Sequence, residues 1–269
     1  MKKYMKIISI FLLALFMLTG CGQVVGTKDI SERIDASDNP KIVWGVKTDT
    51  NLFGLYNIQD QEIQGFDVDI AKALTAEMTD GQGEAELVEV TSKTRIPLLK
   101  NGNIDAIIAT MTITPERAEV VSFSDVYFDA GQSLLVKKGS DIQGIDSLTT
   151  DHTIIAIKGS SSAQNIRDLA PQVSVLEMEN YSEGFVALQS GQGDALTTDN
   201  AILLGMVEQN PNFTLAGENF TEEPYGIAID KGQEAFLQEV NEALATIRAN
   251  GVYDQIYDKW FGGLVDEEV

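Results

Sequence analysis

Short apolar runs alternate with segments of helical periodicity along most of the chain after residue 40. In the segment 234–249, for example, Phe236, Val240, Leu244 and Ile247 recur at helical spacing and define one apolar face. Strands that alternate with helices of this length are typical of α/β layers. The pattern predicts strands at 42–46, 87–90, 105–110, 153–157, 173–178, 194–197 and 225–229, and helices at 67–78, 96–100, from 115 onward, 162–169, 183–189, 200–208, 234–249 and 253–260.

One short pattern occurs twice, 89 residues apart. Leu99-Lys-Asn-Gly102-Asn-Ile-Asp105-Ala106 and Leu188-Gln-Ser-Gly191-Gln-Gly-Asp194-Ala195 each combine a helix end, a glycine, an aspartate and the start of a strand. Such punctuation is common in α/β proteins, so chance similarity is an alternative to a true repeat. If the repeat is real, the chain forms two similar lobes, and the C-terminal segment packs on one of them.

The N-terminus reads as a secretory signal. Lys2, Lys3 and Lys6 precede an apolar run at 7–18, which is shorter than the roughly 20 residues of a spanning helix. The run ends in Leu18-Thr-Gly-Cys21, which resembles the lipobox of bacterial lipoproteins. That resemblance implies cleavage after residue 20 and acylation of Cys21, which would anchor the protein outside the cytoplasm on the cell membrane. An ordinary signal peptide with an incidental cysteine is the alternative.

The segment 21–39 is polar and aperiodic, and we predict a flexible tether between the lipid and the folded part. The chain is acidic, with 41 Asp and Glu against 19 Lys and Arg. This balance argues against a nucleic-acid partner, because binding of nucleic acid depends on neutralising phosphates. We interpret the acidity as a solubilising surface.

Catalytic groups are scarce. His152 is the only histidine and Cys21 the only cysteine, so neither a Cys/His metal cluster nor a thiol nucleophile is available in the mature chain. Two other residues suit a zwitterionic ligand. Arg117 lies in the first turn of the helix begun by Thr114-Pro115, where free backbone N–H groups favour an anion. Asp199 lies where a strand gives way to a helix, and could accept an ammonium group. From spacing alone, an exposed surface side chain is an equally good interpretation of Arg117, and a helix N-cap is an equally good interpretation of Asp199.

Several motifs follow one another in a fixed order: Gly65-Phe-Asp-Val-Asp69, Arg95-Ile-Pro-Leu-Leu, Asp105-Ala-Ile-Ile-Ala-Thr-Met-Thr-Ile-Thr-Pro-Glu-Arg117, Phe123-Ser-Asp125, Thr198-Asp199, Pro224-Tyr-Gly-Ile-Ala228 and Tyr257-Asp-Lys-Trp-Phe-Gly262. Together they resemble the family 3 solute-binding proteins of polar amino-acid ABC importers. The resemblance implies an α/β, two-lobe periplasmic-binding-protein fold (type II) whose lobes are joined by two crossing strands, near 127–131 and 222–226. Lobe 1 would then comprise 40–128 plus 227–265, and lobe 2 would comprise 131–223.

The same resemblance implies the binding site. The ligand's α-carboxylate would be held by Thr110, Thr112, Arg117, Ser160 and Ser161. Asp199 would accept from the α-ammonium group, and Phe66 would wall the pocket. A helix-start side chain that packs on the core is the alternative for Phe66.

Lys47 and Arg95 resemble the cations that meet a side-chain carboxylate in glutamate/aspartate-type members. Glutamine fits as well, because an amide oxygen also accepts from Lys or Arg, and surface charges are the alternative for both residues. The resemblance therefore predicts a monomeric receptor without cofactor or catalytic residues, which binds glutamate, aspartate or glutamine and delivers it to the permease subunits of an importer. The other possibilities are a receptor for another polar amino acid, a cyclohexadienyl or arogenate dehydratase on the same fold, and the sensing lobe of a receptor.

Overall fold

The computed structural model describes residues 29–263, so the predicted signal peptide and Cys21 lie outside the described part. None of the helices in that part is long and apolar enough to cross a membrane. The strands are β1 (Lys41–Val46), β2 (Asp49–Thr50), β3 (Gly54–Asn57), β4 (Glu62–Gln64), β5 (Glu84–Glu89), β6 (Ala106–Ile107), β7 (Val121–Phe123), β8 (Phe128–Ala130), β9 (Gln132–Lys137), β10 (Thr153–Ile157), β11 (Ser174–Met178), β12 (Ala195–Asp199), β13 (Phe213–Ala216), β14 (Glu223–Tyr225) and β15 (Ala228–Asp230). The helices are α1 (Ile30–Asp35), α2 (Phe66–Met78), α3 (Arg95–Lys100), α4 (Pro115–Ala118), α5 (Ser161–Leu169), α6 (Tyr181–Gln189), α7 (Asn200–Gln209), α8 (Glu234–Ala249) and α9 (Val252–Phe261), and a short 3₁₀ turn covers Ile145–Ser147.

Two five-stranded sheets organise the chain, and we call the part built on each of them a lobe. In lobe 1 the strand order is β5-β1-β6-β15-β7. In lobe 2 it is β11-β10-β12-β9-β13. In each sheet the first three strands of this order are parallel, and the fourth and fifth run antiparallel to their neighbours. The two lobes therefore share one strand pattern, although the fourth strand of lobe 1 comes from the C-terminal part of the chain.

The repeated sequence pattern has the same structural role in both lobes. Asp105 Oδ2 accepts from the backbone N–H of Val43 at 2.7 Å, and Asp194 Oδ2 accepts from that of Thr153 at 2.7 Å. Each aspartate thus ties the start of one parallel strand to its neighbour. The glycines of the two turns have φ values of 70° (Gly102) and 75° (Gly191), where a side chain would be strained. These contacts confirm the prediction of two similar units.

Two antiparallel strands cross between the lobes. β8 pairs with β14, with Tyr225 opposite Phe128 and Glu223 opposite Ala130. The crossings lie within the ranges predicted from the sequence. After β14 the chain returns to the first sheet as β15, and α8 and α9 then pack against α2. The exact lobe boundaries given above stay a prediction.

The prediction of a flexible tether up to residue 39 is wrong for residues 29–35. Helix α1 begins there, and Asp29 accepts from the backbone N–H groups of Ser31, Ala235 and Phe236, so that one carboxylate caps both α1 and α8. Ile34, a residue of α1, is buried. The six-residue helix is too short to be stable alone. It is held by these contacts with distant residues, which its own sequence pattern does not reveal.

Candidate ligand-binding site

Several predicted site residues lie at the carboxyl ends of the parallel strands of both sheets. Lys47 follows β1 and Thr110 follows β6 in lobe 1, whereas Ser160 follows β10 and Asp199 ends β12 in lobe 2. Ligands of open α/β sheets bind at such strand ends, where loops and helix starts present polar groups. The fold therefore brings the candidates from two distant parts of the chain to the two facing sides of one cleft.

Arg95 and Asp67 hold the loop after β6. Arg95 is only 2% exposed, and its Nη1 donates to the carbonyl oxygens of Ala109 at 2.7 Å and Thr110 at 3.4 Å. Thr110 has φ of 46°, which is uncommon for a residue with a side chain. Its backbone N–H donates to Asp67 Oδ2 at 2.9 Å, and Tyr127 donates its hydroxyl to Asp67 Oδ1 at 2.9 Å. These buried bonds fix an unfavourable backbone conformation at the site.

Arg117 is half-buried and bridges the lobes. Its Nη1 donates to the carbonyl of Thr112 at 2.7 Å in lobe 1, and its Nη2 donates to that of Gly159 at 3.2 Å in lobe 2. Burial lowers the pKa of Arg117, although the nearby Asp199 opposes this shift. These contacts rule out the alternative of a freely exposed surface arginine.

The lobe 2 side of this region is the start of α5. Ser160 Oγ accepts from the backbone N–H of Ala163 at 3.2 Å, so Ser160 is the N-cap of the helix. Ser161 Oγ instead lies 3.2 Å from Thr112 Oγ1 across the cleft and donates to Glu223 Oε2 at 2.9 Å. The two serines therefore have different roles: Ser160 caps the helix, and Ser161 makes contacts between the lobes.

Asp199 is buried, and it makes no side-chain capping bond to α7. This excludes the alternative of a simple N-cap. Its Oδ2 accepts from the hydroxyl of Tyr225 at 2.6 Å. Burial, together with the nearby carboxylate of Glu223, raises the pKa of Asp199 to about 7. A cationic ligand group would stabilise the ionised carboxylate.

Lys47 is 1% exposed, so the surface-charge alternative is wrong for this residue as it is for Arg95. Its Nζ donates to Ser92 Oγ at 2.9 Å and lies 4.9 Å from the ring centroid of Tyr181, which belongs to lobe 2. Burial, together with the charges of Arg95 and Arg117, lowers the pKa of Lys47 to about 7. All three cations are thus within electrostatic range of one another.

Unpartnered polar atoms concentrate here. Within residues 29–263, five buried side-chain atoms have no hydrogen-bond partner, and three of them are Arg95 Nε, Thr110 Oγ1 and Asp199 Oδ1. The other two belong to Ser31 and Ser133. Leaving a buried polar group unpaired costs about 1–3 kcal/mol. The cluster fits a polar ligand that offers an acceptor to Arg95 and a donor to Asp199. No group of three or more His, Cys, Asp or Glu in the described part is placed to hold a metal ion.

Phe66 lies in the aromatic core of lobe 1. It is fully buried and contacts the rings of Phe53, Tyr127, Phe128, Tyr253, Tyr257 and Phe261. These surroundings fit the core-packing alternative, and its role as a pocket wall stays a prediction.

Sequence reasoning missed the residues that orient the site from a distance: Asp67, Ser92, Tyr127, Tyr181, Glu223 and Tyr225. Only Asp67 and Tyr225 carried a signal, because they lie inside motifs of the resemblance.

Two α/β lobes, two crossing strands and a polar cleft between the lobes define a two-lobe solute receptor. Residues 42–263 match the family model of the bacterial extracellular solute-binding proteins, family 3. The chain belongs to this family.

Relatives are similar over most of their length. The chain is 54% identical to the ABC transporter glutamine-binding protein of Bacillus subtilis over 266 residues, which cover 97% of each chain. It is 56% identical to the glutamine-binding protein of Geobacillus stearothermophilus, over 74% of this chain and 76% of that one. Among solved structures, an ancestral arginine-binding protein bound to glutamine is 40% identical with a TM-score of 0.78, covering 82% of this chain and 98% of that one.

Proposed function

We propose that this protein is the extracytoplasmic glutamine receptor of an amino-acid ABC importer. The observation that carries the proposal is the 54% identity, over 97% of both chains, to a glutamine-binding protein of an ABC transporter. Glutamate and aspartate are the competing ligands, because Lys47 and Arg95 would also pair with a side-chain carboxylate. The proposed partners are the permease subunits of the importer.

The chemistry of the cleft supports a free amino acid. Arg117, with the hydroxyls of Thr112 and Ser161 nearby, would bind the α-carboxylate. Asp199 would accept from the α-ammonium group through its unpartnered Oδ1. Lys47 and Arg95 would donate to the oxygen of the side-chain amide, and the unpartnered Nε of Arg95 is free for such a bond. The α-carboxylate, the α-ammonium group and the side-chain amide oxygen of glutamine then each have a partner of complementary charge or hydrogen-bonding capacity.

Isothermal titration of the mature protein against the twenty amino acids tests this function. We expect glutamine to bind most tightly, glutamate and aspartate more weakly, and apolar amino acids not at all. The apolar amino acids serve as the control, since they offer the same α-carboxylate and α-ammonium without a polar side chain. Failure to bind glutamine, glutamate and aspartate alike would refute the proposal.

The position of the only histidine favours a binding protein over a dehydratase. His152 lies just before β10, at the end of that strand opposite to Ser160, and its Nδ1 accepts from the backbone N–H of Thr149 at 3.0 Å. It therefore lies away from the cleft. We expect saturable binding without turnover, and conversion of prephenate or arogenate by the purified protein would contradict this.

The lipid anchor is the remaining part of the proposal. Cys21 lies outside the described residues, and its acylation is inferred from the lipobox alone. We expect Cys21→Ser to abolish incorporation of labelled palmitate and to release the protein from the membrane fraction, because one acylated residue would be the whole attachment. Glutamine affinity should be unchanged, since Cys21 is remote from the cleft in sequence. A variant that stays in the membrane fraction would contradict the lipoprotein interpretation.

A further inference from the structure

A loop of lobe 1 reaches two helices of lobe 2 beside the cleft. Asn51 Nδ2 donates to the carbonyl of Gly205 at 2.9 Å and to Glu208 Oε2 at 2.9 Å, both on α7. Two residues earlier, Asp49 Oδ2 accepts from the backbone N–H groups of Tyr181 at 2.6 Å and Ser182 at 3.4 Å, at the start of α6. None of these atoms belongs to the groups assigned to the ligand. The contacts of Asp49 and Asn51 therefore join the lobes independently of the ligand-binding groups.

The backbones of the two lobes approach each other closely at Gly205. A Cβ atom added there would lie 2.8 Å from the carbonyl oxygen of Asn51 and 3.2 Å from its carbonyl carbon, which are backbone atoms that cannot swing away. The backbone of Gly205 does not require glycine, because its φ is not in the left-handed region. Alanine is also the better helix former. Glycine is therefore required at position 205 by the contact with lobe 1, and not by the backbone conformation of α7.

The same helix connects this contact to the ligand site. α7 begins immediately after Asp199, and Gly205 follows six residues later, about 9 Å along the helix axis. A helix of this length moves as a unit. Any movement of lobe 2 that brings Asp199 to the ammonium group of a ligand also brings Gly205 to Asn51.

We propose that Gly205 and Asn51 form a closure latch, a pair of positioning residues that set ligand affinity without contacting the ligand. The inference rests on the proposed amino-acid receptor function and on the closure of its lobes around the ligand. The apparent affinity of such a receptor equals the affinity of the closed state reduced by the cost of reaching it. Contacts that exist only between closed lobes therefore contribute to affinity as directly as contacts to the ligand.

Gly205→Ala is the sharpest test. We expect the dissociation constant for glutamine to rise about tenfold or more, because the added methyl group holds the lobes apart and depopulates the closed state. The melting temperature of the ligand-free protein should stay equal or rise, since alanine favours the helix and open lobes have room for the methyl group. X-ray scattering should show less compaction on addition of glutamine than in the wild type.

Asn51→Ala probes the latch from the other side without adding bulk. Loss of two hydrogen bonds between the lobes should weaken glutamine binding about fivefold. Asn57→Ala is the matched control, because Asn57 Nδ2 also donates two hydrogen bonds, but its acceptors, the side chains of Asp60 and Gln64, lie in the same β3–β4 hairpin. That variant should bind glutamine as the wild type does.

The possible results separate the latch from the receptor function. Wild-type affinity in Gly205→Ala would overturn the latch, and so would an affinity loss accompanied by an equal loss of stability in the ligand-free protein. Equal effects of Asn51→Ala and Asn57→Ala would overturn it as well. If the wild-type protein itself binds no amino acid, it is the proposed function that fails.

Discussion

Replacing Arg117 with alanine is expected to weaken glutamine binding by roughly 30-fold or more, which corresponds to the low end of the 2–5 kcal/mol lost when one partner of a desolvated charge pair is removed. The proposed partner is the α-carboxylate, which every amino-acid ligand carries. Glutamine, glutamate and aspartate should therefore lose affinity by similar factors. Titration calorimetry of the three ligands measures all of these losses.

The variant also removes two protein contacts, with the carbonyls of Thr112 and Gly159, and a control must account for them. Arg33→Ala serves this purpose, because Arg33 pairs with Asp105 at 2.6 Å, at the end of the lobe 1 sheet opposite to the cleft. It should leave affinity unchanged. Arg117→Lys should be intermediate, since it keeps the charge but loses the fork of donors. Near-normal affinity in Arg117→Ala would refute its proposed role.

The sequence predicted well those elements whose own residues carry the structural signal. The amphipathic segment at 234–249 became α8 with the predicted bounds, and Gly102 and Gly191 mark the same turn in each lobe. Elements that depend on distant partners were missed. β9 offers only the apolar run Leu134–Leu135–Val136 after two polar residues, yet it is buried between β12 and β13. The short sheet of β2, β3 and β4 is largely polar and has no apolar alternation to reveal it.

The residues of the candidate site were likewise predictable from the sequence only in part. Residue chemistry singled out Arg117 and Asp199, and resemblance added Lys47 and Arg95, whose burial no spacing rule could establish. The conformation of Thr110 could not be foreseen, because it is imposed by Asp67, which is 43 residues away in the chain. Likewise Tyr225 lies 26 residues from Asp199 and orients it. Such contacts exist only after distant parts of the chain have folded together.

The ratio of glutamate to glutamine dissociation constants is expected to rise with pH, by up to about 15-fold between pH 7 and 8.5. The cause is Lys47, whose pKa is lowered to about 7 by burial and by its cationic neighbours. Below pH 7 the amine is protonated and pairs with the glutamate side-chain carboxylate. Above pH 7 it is neutral in the free protein, so that binding of glutamate must take up a proton, at a cost of about tenfold in affinity per pH unit. The neutral amide of glutamine has no such requirement.

Other titrating groups do not distort this ratio. The pKa of Asp199 is also raised to about 7, but its ionisation serves the α-ammonium that both ligands carry. Burial also raises the pKa of Asp67 to about 7, but Asp67 accepts hydrogen bonds from Thr110 and Tyr127 whichever ligand is present. Lys47→Met should abolish the pH dependence of the ratio while Asp199 still changes both affinities together. A ratio that does not change with pH in the wild type would show that Lys47 does not meet the ligand side chain. Discrimination would then fall to Arg95, whose lowered pKa of about 9 leaves it mostly protonated over this range.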